Sequence, residues 1–475
     1  MPSPAAFFVL SFALLLTGCL PGSARPVLAP EFTPPPRWQQ PAPEGAVETA
    51  WLRRVASPQL RELVIEALAA NPDLHRAEAR LSEALAQAQV AGAPLKPALD
   101  ASIEGGRAKR SSGGGAADDY SYALTLGYEL DLWGKLSDAA RAAILDAEAE
   151  QQAMRRTRQT LVADLTRDWF AATEALRQRD LSRQLVDNLA NSLEVLEEGF
   201  RSGLISALDI HLARANLSAE RSRLAQREQA LGDARRTLAQ RLGRYPGASP
   251  TVAAELPPFP GPVPVGLPAA LLERRPDIRS AHLRLARDEA ELARRYKDRF
   301  PSLRLSARLG AGSEELGDLF DADQVVWSLL AGLTQPLYDG HRLEALEAAA
   351  RARADQRVGD YLDTLLQAFN EVESALQQEA ALALQVQALS DARLESERAE
   401  ELAVEQYQAG LVDFITVLEA QRRAFNARSA FLQAQAARWR NRIDLYLALG
   451  GDFISVEDSN GASTEPAGAG DQPRG

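Results

Sequence analysis

The feature that most constrains this chain of 475 residues is an internal repeat that spans nearly its whole length. Short motifs of one half recur in the same order in the other half, about two hundred residues later. The matched segments are 71–74 with 275–278, 95–99 with 299–303, 132–133 with 337–338, 200–204 with 407–411, and 242–243 with 449–450. Solenoid repeats are far shorter, at roughly 20–50 residues. The pattern therefore predicts two copies of one structural unit.

Each copy is expected to contain a helix, two strands, a long helix, a turn and a returning helix. Asn71 can cap a helix that begins with Pro72, because a proline at the first helical position loses no hydrogen bond. Apolar and small residues then recur at steps of three and four, which predicts amphipathic helices far longer than usual. The predicted helices are 72–93, 135–200, 206–242, 276–299, 341–406 and 413–449. The two shorter helices of each copy together match the long one, so each copy should form an antiparallel rod about 100 Å long.

Four segments alternate apolar and polar residues with a period of two, which predicts β-strands. In the longest, 120–132, tyrosine and leucine alternate with small or polar residues, and the other three begin at Leu99, Leu303 and Trp327. Polar, glycine-rich loops are expected inside each pair of strands, at 105–119 and 310–324. Together these segments predict a mostly α-helical fold with a small β-sheet.

The alternation alone leaves two explanations open. A soluble hairpin buries its apolar face on a core, and the pattern by itself favours this commoner arrangement. A transmembrane β-barrel shows the same alternation, with lipid outside and water inside. Because about eight strands are the practical minimum for a barrel, the membrane alternative requires several chains to pool their strands.

The N-terminus carries a nearly unbroken apolar run from Ala5 to Leu16, which has the length of a signal-peptide core. The run ends in Leu-Thr-Gly-Cys at 16–19, which resembles the lipobox of bacterial lipoproteins, although no Lys or Arg precedes it. We expect residues 1–18 to be a lipoprotein signal peptide and Cys19 to be the lipidated residue. The alternative is an ordinary buried cysteine. Cys19 is the only cysteine, which excludes an intrachain disulfide.

The composition argues against several classes of function. A net charge of −12 and a pI near 5.1 argue against nucleic acid as a partner. The 4 histidines are scattered, and with 1 cysteine and 2 methionines a metal site is not expected. The sequence has no phosphate-binding loop, nucleophile elbow or zinc motif, so neither a cofactor nor an enzymatic activity is expected. Neighbouring acids, such as Glu371 with Glu373 and Glu400 with Glu401, are interpreted as solvated helix faces.

Proline is concentrated between the two copies, and such a segment should form no regular element. The predicted divisions of the chain are 1–18 as signal peptide, 19–70 as an N-terminal lipid-anchored segment, 71–243 as the first copy, 244–275 as a proline-rich connector around the middle of the rod, 276–450 as the second copy, and 451–475 as a disordered tail.

At these motifs the chain resembles the TolC-like outer-membrane factors, in the lipoprotein branch of the OprM/NodT type that serves resistance-nodulation-division pumps. The resemblance covers about residues 15–451. Its most specific stretch is Gly-Leu-Pro at 266–268 with Leu-Leu-Glu-Arg-Arg-Pro-Asp-Ile at 271–278 and Phe-Pro-Ser-Leu at 300–303. Further matches are Tyr-Glu-Leu-Asp-Leu-Trp-Gly-Lys at 128–135, Tyr-Gln-Ala-Gly at 407–410 and Leu-Glu-Ala-Gln-Arg at 418–422.

The resemblance implies a homotrimer in the outer membrane. Three chains would pool their strands into one twelve-stranded barrel and their helices into one coiled-coil tunnel in the periplasm, which decides between the two explanations of the strands. Solutes would pass through passively, driven by an inner-membrane resistance-nodulation-division pump and delivered through a periplasmic adaptor protein. Outer-membrane lipids would surround the barrel.

The resemblance also implies a gate that closes the periplasmic end of the tunnel. By motif matching, Ile415, Glu419 and Arg422 fall on its ring positions, and Asp209 falls on the corresponding turn of the first copy. The family commonly has aspartate where this chain has Glu419. Without the resemblance, Glu419 and Arg422 would be an ordinary exposed ion pair on one helix face.

Two other functions are compatible with parts of this pattern. One is the outer-membrane conduit of a protein or polysaccharide secretion system, but the lipobox and the motif at 272–278 favour drug efflux. The other is a non-conducting coiled-coil scaffold anchored by lipid. The paired, tyrosine-rich strands argue against a scaffold, because a scaffold has no need of them.

Overall fold

The structure, a computed structural model, describes residues 32–453 apart from positions 42, 44, 46, 48, 49, 56, 110–115, 204 and 249. Two compact units account for these residues. The first is built mainly from Ala79–Gln152 and Arg279–Thr364. The second is built from Thr33–Glu78, Ala153–Ile278 and the segment that begins at Leu365.

Helices make up most of the described chain, and the six predicted ones are confirmed with ends within two residues of those expected. The helices are α1 Leu52–Val55, α2 Pro58–Ala70, α3 Pro72–Gly92, α4 Lys135–Arg201, α5 Ala207–Arg241, α6 Leu271–Arg274, α7 Pro276–Lys297, α8 Arg342–Gln408 and α9 Phe414–Ala448. Helices α4 and α8 each contain 67 residues, and α5 and α9 each contain 35. Among the described residues, none of the helices has the length and apolar composition to cross a membrane.

Asn71 caps α3 as predicted, and it does more than that. Its side-chain oxygen accepts hydrogen bonds from the backbone nitrogens of Asp73 at 2.8 Å and Leu74 at 3.2 Å. Because these donors have no partner inside the helix, the cap supplies the bonds they lack. The Asn71 amide nitrogen also donates to the carbonyl oxygen of Arg241 at 2.9 Å. One side chain therefore joins the start of α3 to the end of α5.

Short helices also form outside the two copies, and the one in the connector corrects its prediction. The N-terminal segment forms α2, which Ser57 caps by accepting from the Leu60 nitrogen at 3.2 Å. The connector, expected to be irregular throughout, ends in a 3-10 turn at Pro268–Ala270 and then α6. Proline can begin such a turn because its missing N–H would have no partner there. A high proline content therefore did not exclude helix at this end of the connector.

The strands form one antiparallel sheet in the order β1-β2-β3-β4. Their bounds are β1 Ala98–Lys109, β2 Ala116–Leu130, β3 Ser302–Ser313 and β4 Val326–Thr334. The predicted loops at 105–119 and 310–324 were too long, because glycine continues the strands: Gly105 pairs with Tyr120 and Gly310 pairs with Ala123. A side chain at Gly310 would overlap the carbonyl oxygen of Tyr122, so the close approach requires glycine.

Aromatic rings hold the core of the second unit together. Phe170 on α4 packs against Trp439 on α9 with ring centroids 5.0 Å apart, and Phe259 of the connector packs on the same Trp439 at 5.1 Å. Trp51 stacks on Tyr446 at 5.4 Å. The proline-rich connector and the N-terminal segment are thus fastened to α9 by ring contacts, which bury large apolar areas at low entropic cost.

The Arg-Pro-Asp motif at 275–277 is a buried ion-pair network. The Arg275 side chain is 2% exposed and donates to Asp277 at 2.5 Å, to Glu371 at 2.7 Å and to the carbonyl oxygen of Ala448 at 3.2 Å. Burial raises the pKa of Asp277, but the hydrogen bond and charge of Arg275 outweigh it and hold the pKa below its ordinary value. Removing one partner of such a buried pair is strongly destabilising because the other charge is left uncompensated.

Two glycines that end helical segments allow a matched test of packing. Gly243, after α5, has a φ of +71°, and a Cβ there would lie 2.5 Å from the carbonyl oxygen of Ala70. Gly203, after α4, has a φ of +73° with no atom within 4 Å of that position. Both alanine variants incur the left-handed penalty of roughly 1–2 kcal/mol, but only Gly243→Ala adds a clash. We expect Gly243→Ala to lower the thermal unfolding temperature, followed by circular dichroism in detergent, clearly more than Gly203→Ala. Equal decreases would contradict this packing.

Candidate functional site

The sheet has one apolar face and one polar face, and the strand register aligns them across all four strands. Leu309 on β3 pairs with Leu124 on β2 and Trp327 on β4, so these side chains share a face. One position along, Arg308 pairs with Thr125 and with a serine of β4. The alternations recognised in the separate strands are therefore brought together as two continuous surfaces.

The apolar face is largely uncovered within the chain. Ile103 is 85% exposed, Trp327 is 78% exposed and Leu329 is 71% exposed. A soluble hairpin would bury this face on a core, so the arrangement that the alternation alone favoured is wrong. Large contiguous apolar surfaces of this kind mark contact with a membrane or another protein.

The polar face carries charges that are paired across strands. Glu129 on β2 accepts from Lys135 at 2.6 Å and from Arg304 on β3 at 3.2 Å. Arg107 lies 3.6 Å from Asp118 across the β1–β2 pair. Such a surface is suited to contact with water and dissolved solutes and unsuited to contact with lipid.

The turn between α4 and α5 packs against the turn between α8 and α9. We call residues 193–203 and 205–213, together with 403–422, the paired-turn region. A shared apolar cluster joins them, consisting of Leu196, Ile210, Ala213, Ala403, Phe414 and Val417. The rings of Tyr407 and Phe414 lie 5.6 Å apart. The tight turns use Gly203 and Gly410, whose φ values of +73° and +71° favour glycine.

The predicted gate residues all lie in the paired-turn region or directly at its edge. Ile415 on α9 is 54% exposed. Arg422 donates to Glu419 at 2.6 Å, and both side chains are about half exposed. Asp209 accepts from the Ser206 hydroxyl at 2.7 Å and sits in the first turn of α5. The structure thus pairs Glu419 with Arg422 on one helix, and it pairs Asp209 with its own turn.

Arginine clamps across each helical hairpin were missed by sequence reasoning. Arg214 on α5 donates to Glu197 on α4 at 2.8 Å. Arg428 on α9 donates to Glu397 at 2.8 Å and to Glu400 at 3.1 Å on α8. Residues at similar distances on either side of a turn face each other in an antiparallel hairpin, and a search for opposite charges at such positions would have found these clamps.

The interpretation of neighbouring acids as solvated helix faces is therefore wrong for several of them. Glu400 binds Arg428, Glu371 binds the buried Arg275, and Glu373 accepts a hydrogen bond from the backbone nitrogen of Gln39 at 2.7 Å. Helical periodicity alone could not reveal partners that come from distant segments of the chain.

The two acids of the Arg428 clamp titrate differently. Burial raises the pKa of Glu397, but the hydrogen bond to Arg428 and the charges of Arg393 and Arg428 outweigh burial and lower the pKa below its ordinary value of 4.5. At Glu400, burial dominates over Arg428 and raises the pKa. On acidification Glu400 therefore loses its charge before Glu397 does.

Two further predictions concern lipidation and metal binding. Cys19, the predicted lipidation site, lies outside the described residues. Within the described part of the chain, no group of three or more His, Cys, Asp or Glu side chains is arranged to hold a metal ion.

Comparisons with known proteins all match this chain to proteins of the outer membrane. The family model for outer membrane efflux proteins matches residues 63–244 and 267–451. The chain is 30% identical over 462 residues to the pyoverdine export outer membrane protein OpmQ of Pseudomonas aeruginosa, covering 94% of this chain and 97% of that protein. It is 32% identical over 422 residues to the outer membrane protein OprJ of the same organism, covering 86% and 88%. The solved structure of the outer-membrane channel OprN superposes with a TM-score of 0.81 at 26% identity, covering 90% of this chain and 99% of that one.

The Arg428 clamp predicts a pH-dependent stability of the paired-turn region. Because the pKa of Glu397 is lowered, its contribution is present above about 4.5 and is lost as the pH falls through the lowered value. We expect Glu397→Gln to speed amide hydrogen exchange in residues 403–422 at neutral pH by up to about fivefold, since partly solvated surface pairs contribute about 0–1 kcal/mol.

Glu400→Gln is the matched variant for this test. Because burial raises the pKa of Glu400, its ionised form is disfavoured in the folded chain, so Glu400→Gln should not speed exchange at neutral pH. Its exchange rate should converge with that of the wild type at a higher pH than for Glu397→Gln, because Glu400 is protonated first. A larger effect for Glu400→Gln than for Glu397→Gln, or ratios that do not change with pH, would overturn the assignment.

Proposed function

The chain belongs to the outer membrane efflux protein family, and on that premise we propose how three copies of it form a conduit. The protein is an outer-membrane channel component of a tripartite efflux system. Its family consists of transport conduits and not of enzymes.

The assembly we propose is a homotrimer with one shared barrel and one shared tunnel. The observation that carries it is the sheet, whose apolar face is bare and whose outer strands β1 and β4 each leave one edge without a neighbouring strand in the described chain. An open edge in lipid costs several kcal/mol for each unpaired backbone group. Four strands are too few to close a barrel, whereas three copies together supply enough. The apolar face would then contact lipid, and the charged face would line water.

We also propose that the two halves of the chain are copies of one unit. Helices α4 and α8 have equal lengths, as do α5 and α9, and the family model matches the chain in two successive segments. The proposed divisions are 19–70, 71–243, 244–275, 276–450 and 451–475, after a signal peptide of 1–18. Two copies per chain and three chains would give the helical tunnel a near-sixfold arrangement.

Transport through this conduit would be passive and only weakly selective. On the polar face of the sheet, Glu129 is paired with Lys135 and Arg304, and Arg107 is paired with Asp118, so these charges offer solutes a hydrated surface and no strong binding site. Energy would come from an inner-membrane resistance-nodulation-division pump, which a periplasmic adaptor protein connects to the channel. One relative is named for pyoverdine export.

The gate we propose lies at the start of α9. In a trimer, three copies of Glu419 close to the axis would repel each other, and Arg422 offsets that repulsion from one turn away at 2.6 Å. Charge pairs at a surface contribute about 0–1 kcal/mol each, but three equivalent pairs act together. Such a closure is strong enough to persist at rest and weak enough for an adaptor to release. Ile415 would supply an apolar constriction, and Asp209 would hold the neighbouring turn.

Single-channel conductance in planar bilayers tests the conduit and its gate together. We expect the wild type to insert as a channel that is mostly closed, and Arg422→Ala to be more often open. Arg398→Ala is the control, because it removes a similar pair, with Glu395 at 2.7 Å, that is also exposed and also three residues apart. No channel activity from the wild type would contradict the conduit. Unchanged conductance in both Arg422→Ala and Glu419→Ala would leave Ile415 as the closing residue.

The lipid anchor we propose is Cys19. Each buried methylene of an acyl chain contributes about 0.8 kcal/mol, so two or more chains give stable anchoring. The intact mass after detergent extraction should correspond to a chain that begins at Cys19 and carries acyl groups. Cys19→Ser should lack the acyl mass and still fold. A wild-type mass that retains residues 1–18, or that has no acyl addition, would disprove the anchor.

A further inference from the structure

Helices α3 and α7 correspond in the proposed repeat, but they are covered to different extents. Both begin with a proline, Pro72 and Pro276, and counted from these prolines Ala86 takes the position of Ala290. Ala290 is 8% exposed, whereas Ala86 is exposed. Helix α7 therefore has a covered face that α3 leaves bare.

The element that covers this face of α7 is α4. The Ser280 hydroxyl donates to the carbonyl oxygen of Ala149 at 3.0 Å. Two ion pairs then run along the same seam, Arg284 with Glu150 at 2.9 Å and Arg287 with Asp146 at 3.7 Å. On the α4 side, Ala149 is fully buried at this seam, and Ala142, two turns earlier in the helix, is buried as well.

The counterpart of this α4 face on α8 is also bare. Helices α4 and α8 have the same length, and counted from their first residues Ala149 takes the position of Gln356. Ala149 is fully buried, whereas Gln356 is exposed. The same correspondence between α4 and α8 aligns Ala147 with Ala354, and both of these residues are buried, as equivalent positions should be. The chain thus holds one seam, between α7 and α4, and leaves bare the two faces that would form an equivalent one.

We propose, resting on the repeat and trimer above, that α3 of one copy docks on α8 of the next copy in the register by which α7 docks on α4. The partner is a second copy of this chain, because the two bare faces correspond to faces that already bind each other. Counted as above, Glu83 takes the position of Arg287, and Arg353 takes the position of Asp146. The charges are exchanged and remain complementary, so Glu83 and Arg353 of neighbouring copies form the ion pair of this second seam.

The other ion pair of the first seam has no equivalent. Arg284 corresponds to Arg80, and Glu150 corresponds to Arg357, so both members are basic. Arg357 is bound within its own chain by Asp288 at 3.0 Å and Asp360 at 2.9 Å. The register between copies is therefore set by Glu83 with Arg353.

The segments next to the sheet also form a contact in one copy of the repeat and leave its counterpart residues bare. Trp133 donates from its ring nitrogen to the carbonyl oxygen of Pro301 at 2.7 Å, and its ring lies 5.5 Å from that of Phe300. In the repeat, Tyr338 corresponds to Trp133, and Pro97 corresponds to Pro301. Tyr338 is 84% exposed and Pro97 is exposed. The Tyr338 ring of one copy accordingly packs on Pro97 of the next copy.

Cross-linking of the detergent-solubilised protein with a short bismaleimide tests this register. The double variant Glu83→Cys with Arg353→Cys should convert most chains to covalent dimers and trimers on a denaturing gel. Glu83→Cys with Asp360→Cys is the control, because Asp360 lies two helical turns further along α8, and it should cross-link several-fold less. Each single variant alone should give no multimers, which excludes links through Cys19.

Charge exchange provides a second readout on the same pair. Glu83→Arg and Arg353→Glu should each lower the fraction of trimer that survives mild heating, and the double exchange should recover most of the loss. A trimeric protein that cross-links at 360 and not at 353, or whose double exchange is no better than the single variants, overturns the register alone. A protein that is monomeric by native mass spectrometry overturns the trimer and this seam together.

Discussion

The rest of this structure depends on a constraint that one chain cannot satisfy by itself. Its four-stranded sheet presents side chains such as Ile103 and Trp327 on a bare apolar face, and β1 and β4 are the outer strands among the described residues. In lipid, backbone groups that lack partners are too costly to leave open, so a sheet in this state must find further strands. The proposed trimer supplies these strands. Because the strand register places all apolar side chains on one face, the charged face lies on the inside of the closed barrel and contacts water.

The helical hairpins must hold their turns in place, and they do so with apolar contacts and ion pairs. In the second unit, the paired turns close over an apolar cluster, while Arg214 and Arg428 fasten each hairpin to acids on its long helix. These pairs are partly solvated, so each contributes little, and the set can hold a turn without making it rigid. The proposed gate at Glu419 and Arg422 uses the same kind of weak pair. A conduit that must open on contact with an adaptor is better served by several weak closures than by one strong closure.

Much of the fold follows from local sequence rules, and the departures have physical reasons. The Asn71 cap, the helix ends and the two-faced strands were predictable because each depends on neighbours in sequence. Helix at the end of the connector was missed because proline forbids helix interiors but not first turns. The partners of Glu371 and Glu400 were missed because Arg275 and Arg428 are distant in sequence and meet these acids only in the folded chain. The gate residues came from family resemblance, since nothing in an exposed pair of opposite charges distinguishes a gate from a solvated surface.

Native mass spectrometry in detergent tests the central claim most directly, because the account rests on three chains sharing one sheet and one tunnel. The account predicts that the mature, lipid-modified protein appears almost entirely at three times the mass of one chain, with no stable dimer. A protein that appears only as monomers or dimers, while retaining its helical circular dichroism, would contradict the shared barrel and with it the conduit.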